Sequence, residues 1–207
     1  WASAACCDLA EALMHLGRFR EAQGNLEKGY ALALESGMEY KEAQALMLRG
    51  AIAIHERSFV AAGRALEESV AVAERGGKPG TMARALAIWS VAALRTQDRD
   101  RARRVLIRAL EVSRKGEAPI PRFYVLAAAA LFLIDHGEDV QALEVYALAV
   151  RHPAMAGSRW IEEVFGRAFV DNELTLEPDL VASVEPSDQN ATVDAALADL
   201  SARLEGG

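Results

Sequence analysis

The stretch "HLGRFREAQGNL" spans residues 15–26. A glycine and an aromatic, Gly17 and Phe19, interrupt an alanine-rich helical run, and Ala22 and Leu26 then resume it. The same arrangement returns at a fixed interval of forty. Ala22, Ala62, Ala102 and Ala142 form one column, and Leu26, Leu66, Leu106 and Tyr146 a second. Gly29, Ser69, Ala109 and Ala149 are all small. Upstream, Cys6, Leu46, Leu86 and Leu126 align, as do the small residues Ala10, Gly50, Ser90 and Ala130. Several columns in one register, at a period between 20 and 50 residues, mark a solenoid of stacked units.

Within each unit the apolar residues follow helical spacing in two segments. The spacing predicts first helices over 2–16, 39–55, 81–95 and 121–135, and second helices over 19–36, 59–75, 99–114 and 138–151. Ser36-Gly37, "RGGKPG" (75–80) and "RKGEAPIPR" (114–122) are the breaks between units, where Gly and Pro stop a helix and supply a turn. Gly17 and Gly137 sit at the corner between the two helices, where glycine tolerates the backbone twist. Arg57 and Gln97 occupy that corner in the middle units, which implies a less demanding turn there. Phe19 and Phe59 plug the angle between the helices, and Arg99 and Asp139 lack that plug. The small columns mark close helix crossings, and the leucines at 26, 66 and 106 fill the core.

The order small residue, corner glycine, aromatic, alanine, large apolar, small resembles the tetratricopeptide repeat. The resemblance covers residues 1–152 and implies an all-α, right-handed α-solenoid of helix-turn-helix units. The forty-residue unit is longer than that family's 34. Such units are typical of bacterial signal-transduction ATPases, including the large ATP-dependent transcriptional activators related to the maltose regulator. "ALEVYALAVRHPAM" (142–155) is similar to the end of the array in those proteins. The chain opens on Trp1 inside a helical pattern, which reads as a piece of a longer polypeptide.

Beyond the repeats, Trp160, Ile161, Val164, Phe165 and Ala168 share a face, which predicts a helix over 158–169 covering the open end of the array. Residues 171–188 read as a loop with one helical turn near 179–184. Val193, Leu197, Leu200 and Leu204 form a narrow stripe on a final helix over 190–204. That helix either packs in place or docks in a groove. Residues 171–207 carry nine acids and one base, within a chain whose net charge is −7. An acidic chain is a poor partner for nucleic acid or an anionic membrane surface.

Few motifs carry chemistry. "GGKPGT" (76–81) lacks the first glycine of a phosphate loop and places Pro79 after the lysine, so it reads as a turn. His15 and His55 stand one period apart at helix C-termini, where a base complements the helix dipole. No His or Cys lies at ligand spacing, so no metal and no cofactor is expected. Cys6 and Cys7 are neighbours on a helix and diverge, so they read as free thiols of a reducing, cytoplasmic compartment. Arg101, Arg104 and Arg108 interleave with Asp98, Asp100 and Glu111, as on a solvated face. The longest apolar run, 125–134, is short of the ~20 residues a membrane span needs, and no secretory signal is visible. No catalytic residues can be assigned, and no enzyme is expected.

In tetratricopeptide arrays the first helices line the concave side, and the resemblance implies four columns of groove residues here. They contribute Met14, Gln44, Met47, Ile54, Arg84, Leu94, Tyr124 and Leu131 as candidate partner-binding residues. An apolar groove with methionines suits a helix laid into it. The alternative is that the longer helices close the superhelix and bury these side chains. The resemblance therefore implies a non-catalytic sensor arm of a multidomain bacterial transcriptional regulator, taking a protein or peptide partner or another domain of its parent. A stand-alone scaffold binding a peptide is the alternative. An enzyme with its catalytic domain elsewhere is a third.

Overall fold

The computed structural model describes residues 1–116, 118–175 and 189–206, and the turn expected near 179–184 lies outside them. The described residues form ten helices and no strand. Four hairpins come first. They are α1 (Ala2–His15) with α2 (Phe19–Ser36), and α3 (Glu39–His55) with α4 (Phe59–Arg75). Next are α5 (Pro79–Arg95) with α6 (Arg99–Lys115), and α7 (Ile120–Asp135) with α8 (Asp139–Val150). Helix α9 runs through Arg159–Ile161, a π-helical segment Glu162–Gly166, and Arg167–Asp171. Helix α10 is Gln189–Gly206. Helices α1 to α8 each pack on their neighbours in chain order, giving an all-α repeat solenoid.

The columns behave as interlocking layers. Ala22, Ala62, Ala102 and Ala142 are all fully buried, as are Leu66 and Leu106. Burying each of those leucines is worth roughly 1.5–3 kcal/mol. The small residues are small for a measurable reason. A Cβ on Gly50 would stand 2.4 Å from Leu66 Cγ, and one on Gly29 would stand 2.7 Å from Cys7 Sγ. The same crossing is tied by hydroxyls from alternate sides. Ser3 Oγ donates to the Gly29 carbonyl at 2.8 Å, and Ser69 Oγ donates to the Ala43 carbonyl at 2.7 Å.

The corners correct one expectation. Arg57 and Gln97 do not relax the turn, because their φ values are 61° and 60° against 76° at Gly17 and Gly137. All four corners close with the same pair of backbone bonds. Gly17 N–H donates to the Met14 carbonyl and Arg18 N–H to that of Leu13, and residues 57–58, 97–98 and 137–138 repeat this. The motif demands a left-handed residue whatever its side chain, so the middle repeats carry backbone strain there. A second difference is that α5 begins at Pro79, inside the expected break. Proline has no N–H to lose at the first helical position, so it starts a helix well.

Of the two C-terminal helices, α9 differs from expectation, while α10 packs in place, the first of the two readings of its stripe. Helix α9 does not cover an open end; it lies across α1, α3 and α7. Helix α10 packs on α6 and α7 through Val193, Leu197, Leu200 and Leu204, all buried. Gln141 donates to Asp199, and Arg203 reaches both Glu138 and Gln141, which ties α10 to α8 as well. The physical reason for the difference is the width of the apolar faces. Trp160, Ile161, Val164, Phe165, Ala168 and Phe169 are all buried in α9, a broad face suited to a groove. The stripe of α10 is narrower and fits the seam between neighbouring helices.

Candidate functional site

The inner faces of the first helices converge. Arg84 on α5 donates to Glu11 on α1, and at 3.4 Å to Tyr124 Oη on α7. Its guanidinium lies 4.7 Å from the Tyr124 ring centroid. Gln44 Nε2 on α3 donates to the other Glu11 oxygen at 2.8 Å. Lys41 Nζ, also on α3, donates to Asp8 and to Gln44 Oε1, each at 2.8 Å. Two of the candidate groove residues, Gln44 and Arg84, thus meet at Glu11, a residue outside that set, and a third, Tyr124, joins through Arg84.

Burial and charge set the protonation of this cluster. Burial pushes the Glu11 carboxyl up, but the charge and hydrogen bond of Arg84 and the bond from Gln44 outweigh it, so its pKa is lowered. Arg84 is held charged, since the charge and hydrogen bond of Glu11 and the hydrogen bond to Tyr124 oppose its desolvation. Burial raises the Tyr124 phenol. Burial also lowers His15, against the pull of Glu11, and Arg84 lowers it further. The floor at neutral pH is therefore an ion pair capped by a neutral phenol and a neutral imidazole.

Helix α9 fills the groove above this floor. Trp160 is fully buried, and its indole Nε1 donates to the Ala51 carbonyl on α3 at 3.1 Å. Its ring lies 6.1 Å from that of Tyr124 and meets Phe165 edge-on at 5.5 Å. Ser158 caps α9 by accepting from Ile161 N–H at 3.2 Å. Its hydroxyl hydrogen is then free for His15 Nδ1, 2.6 Å away. One repeat on, His55 Nδ1 lies 2.7 Å from Glu163 Oε2 while its ring stacks on Phe19 at 3.6 Å. The two histidines expected to serve their own helix ends therefore reach out to α9. At the far end Phe169 stacks on Tyr146 at 4.4 Å. The π-helical turn brings Gly166 to Tyr146, where a Cβ would stand 2.9 Å from Oη.

The candidate residues are thus not open surface. Met14, Met47, Ile54, Tyr124 and Leu131 are buried, and Gln44, Arg84 and Leu94 are half-buried. Ile54 lines a cavity of about 160 Å³ with Val164 and Glu163 of α9. Leu94 and Leu131 line another of about 320 Å³ with Ala168. Both cavities flank α9, so its fit is looser along the edge facing the ends of α3, α5 and α7. A larger cavity, about 430 Å³, lies between α6, α7 and α10, with Phe132, Leu133 and Leu200 in its wall.

Comparison with known proteins finds no matching family model, no similar curated protein and no similar solved structure. Among the described residues no group of three His, Cys, Asp or Glu side chains could hold a metal ion. Among them, too, no helix is long and apolar enough to cross a membrane. What the arrangement offers chemically is recognition of a helix. Its walls are apolar, and its polar floor is paired internally except at Arg84 Nε, which is buried without a hydrogen-bond partner.

Proposed function

We propose that this chain is a non-catalytic regulatory arm, of the tetratricopeptide kind found in bacterial signal-transduction ATPases, whose groove exchanges its own helix α9 for a partner helix. One observation carries the reading: the groove formed by four first helices is occupied by a segment of the same chain. Such an internal occupant competes with any external one, so partner binding and α9 release become one equilibrium. The π-helical turn supports this, because such turns are inserted defects that recur at functional positions. The His55–Glu163 contact is polar and half-exposed, where exchange with water is cheap. The two flanking cavities can take side chains of a competing helix beside α9 before α9 has left.

Two experiments test this. A labelled peptide of residues 158–172 should bind a Trp160→Ala/Phe165→Ala chain and not the unaltered one. Failure to bind a variant that remains helical overturns the exchange. The parent reading frame tests the rest. A nucleotide-binding motif or a DNA-binding helix-turn-helix alongside the repeats supports a regulator. Neither leaves the stand-alone scaffold, and a catalytic domain in the same frame overturns the non-catalytic reading.

A further inference from the structure

The aromatic plug is missing from the third repeat, and a cavity opens beside the place it would take. Phe19 stacks on His55, and Phe59 is packed against the core. Arg99 stands forty residues after Phe59. It turns to the surface, donating from Nε to Asp135 at 2.7 Å with its side chain 65% exposed. Helix α10 lies over this seam without filling it, and a cavity of about 430 Å³ remains between α6, α7 and α10. Its wall is made by Leu106, Ala129, Phe132, Leu133, Leu200 and Leu204, all buried. Arg99, Arg103, Arg203 and His136 border the rest, with Asp100 and Glu138. Two of these arginines are already committed, Arg99 to Asp135 and Arg203 to Glu138 and Asp199. His136 donates from Nδ1 to the Phe132 carbonyl at 2.8 Å and stacks on the Phe132 ring. Arg103 is different. It is half-buried and donates from Nε to the Leu204 carbonyl at 2.7 Å, but it has no ion pair among the described residues. Its two terminal nitrogens are without a partner there, and the unpaired Asp100 is exposed.

We propose that this cavity binds a small carboxylic acid with an apolar body, of the medium-chain fatty acid kind. Its carboxylate would sit on Arg103 and its chain against Phe132 and the leucines. The volume lies in the range of small-molecule sites, whose walls are mostly apolar with a few placed polar groups. A cavity walled by apolar side chains holds water poorly and accepts an apolar guest. The planar guanidinium fork matches a carboxylate, and such charge-assisted pairs are the strong ones. The charge balance selects a monoanion. A dianion would meet Asp100 and Glu138 with one uncommitted cation to hold it, and a cationic amphiphile would be repelled by the half-buried Arg103. Leu200 and Leu204 belong to α10, and the Leu204 carbonyl already rests on Arg103. The bound acid would therefore fasten α10 to α6 and α7. This inference does not rest on exchange of α9, since no residue of α9 lines the cavity.

The test titrates the chain with octanoate, below the concentration at which it forms micelles. Octanoate should bind saturably at one site, raise the melting temperature and slow amide exchange in α10. Octanol, octylamine and acetate each lack one half of the recognition and should bind about tenfold more weakly or worse. Arg103→Gln should weaken octanoate by a similar factor and leave octanol as it was. Arg99→Phe restores the plug without touching Arg103. It should raise the melting temperature of the free chain and weaken octanoate, and it decides the matter if Arg103→Gln fails to fold. Absence of saturable octanoate binding overturns the proposal. So does octanol or acetate binding as tightly as octanoate, since the cavity then does not read both halves of the ligand. Octanoate affinity unchanged in Arg103→Gln, or in Arg99→Phe, places the acid elsewhere and overturns it too.

Discussion

Truncating Trp160 to alanine separates a seated α9 from one merely lying nearby. The indole is fully buried and donates to Ala51 at 3.1 Å. Removing a buried aromatic of this size costs about 3–5 kcal/mol, and the lost hydrogen bond lies within that figure. For a chain of this length the melting temperature falls by about 2–4 °C per kcal/mol, so a drop of roughly 6–20 °C is expected if α9 unfolds with the array. Should α9 leave first, the drop is smaller, capped at its own docking free energy. Amide exchange in α3 around Ala51 and His55 should then rise below the main transition. Trp160→Phe keeps most of the packing and loses the bond, costing about 0.5–1.5 kcal/mol for that bond. Circular dichroism melts with hydrogen-exchange mass spectrometry read both variants. An alanine variant with unchanged melting and unchanged α3 protection would refute the seating of α9 in the groove.

Three further outcomes follow from other parts of the structure. Ala62→Leu and Ala102→Leu each insert a large side chain at a fully buried crossing. Each should cost about 1–3 kcal/mol, and unchanged melting in both would mean the crossings are misplaced. Arg57→Gly and Gln97→Gly relieve left-handed strain of roughly 1–2 kcal/mol, offset in part by the extra freedom of glycine in the unfolded chain. A small rise in melting temperature is expected for each, and a fall would show that their side chains matter more than their φ. His15 is lowered from its ordinary 6.5 by burial, with Glu11 opposing and Arg84 assisting. As pH falls below about 6.5 the unfolded chain takes a proton that folded His15 refuses, so stability falls. Glu11 acts in a lower window, because its folded pKa lies below its ordinary 4.5. Melting at pH 7.5 and 5.5 should show a shallower dependence for His15→Gln than for the unaltered chain, and equal slopes would reject this role for His15.

The array was legible in the sequence because its determinants are local and repeated. A small residue meets a large one at the same offset in every unit, so each repeat checks the others. The corners were half legible. Glycine at 17 and 137 announces a left-handed turn, but Arg57 and Gln97 hide the same geometry, since only the backbone bonds to residues 54 and 94 enforce it. The groove residues were legible as a surface facing inward, open or buried by closure of the superhelix, but spacing did not show that α9 is what covers them. A face of the kind formed by Trp160, Val164 and Phe165 can serve an open end or a groove equally well, and spacing does not distinguish them. Met47 shows the consequence. Periodicity cannot tell a methionine waiting for a partner from one buried under α9, and the second is what the fold contains, so Met47→Glu should disturb folding as well as recognition. Glu11 falls in an inward-facing column with Ala51, Val91 and Leu131, but spacing does not show that this lone acid pairs with Arg84 until the fold places the two together.

A repeat array held only by neighbouring contacts unfolds piecemeal, with stability close to a sum over adjacent units. Two features here break that rule. The Glu11–Arg84 pair joins the first repeat to the third, and the approach of His15 to Tyr124 at 3.5 Å joins the first to the fourth. Helix α9 adds a strut across the same helices, fastened at His15, Ala51 and His55 and ending on Tyr146. With α9 seated, opening any one repeat must break contacts made by others, so the array behaves as a single cooperative unit. With α9 released, only the floor cluster still couples distant repeats. The outer repeats then respond more independently. An occupant of the groove would thereby set how rigidly one end of the array is linked to the other, which is a way for binding to be felt at a distance without any chemistry in the groove itself.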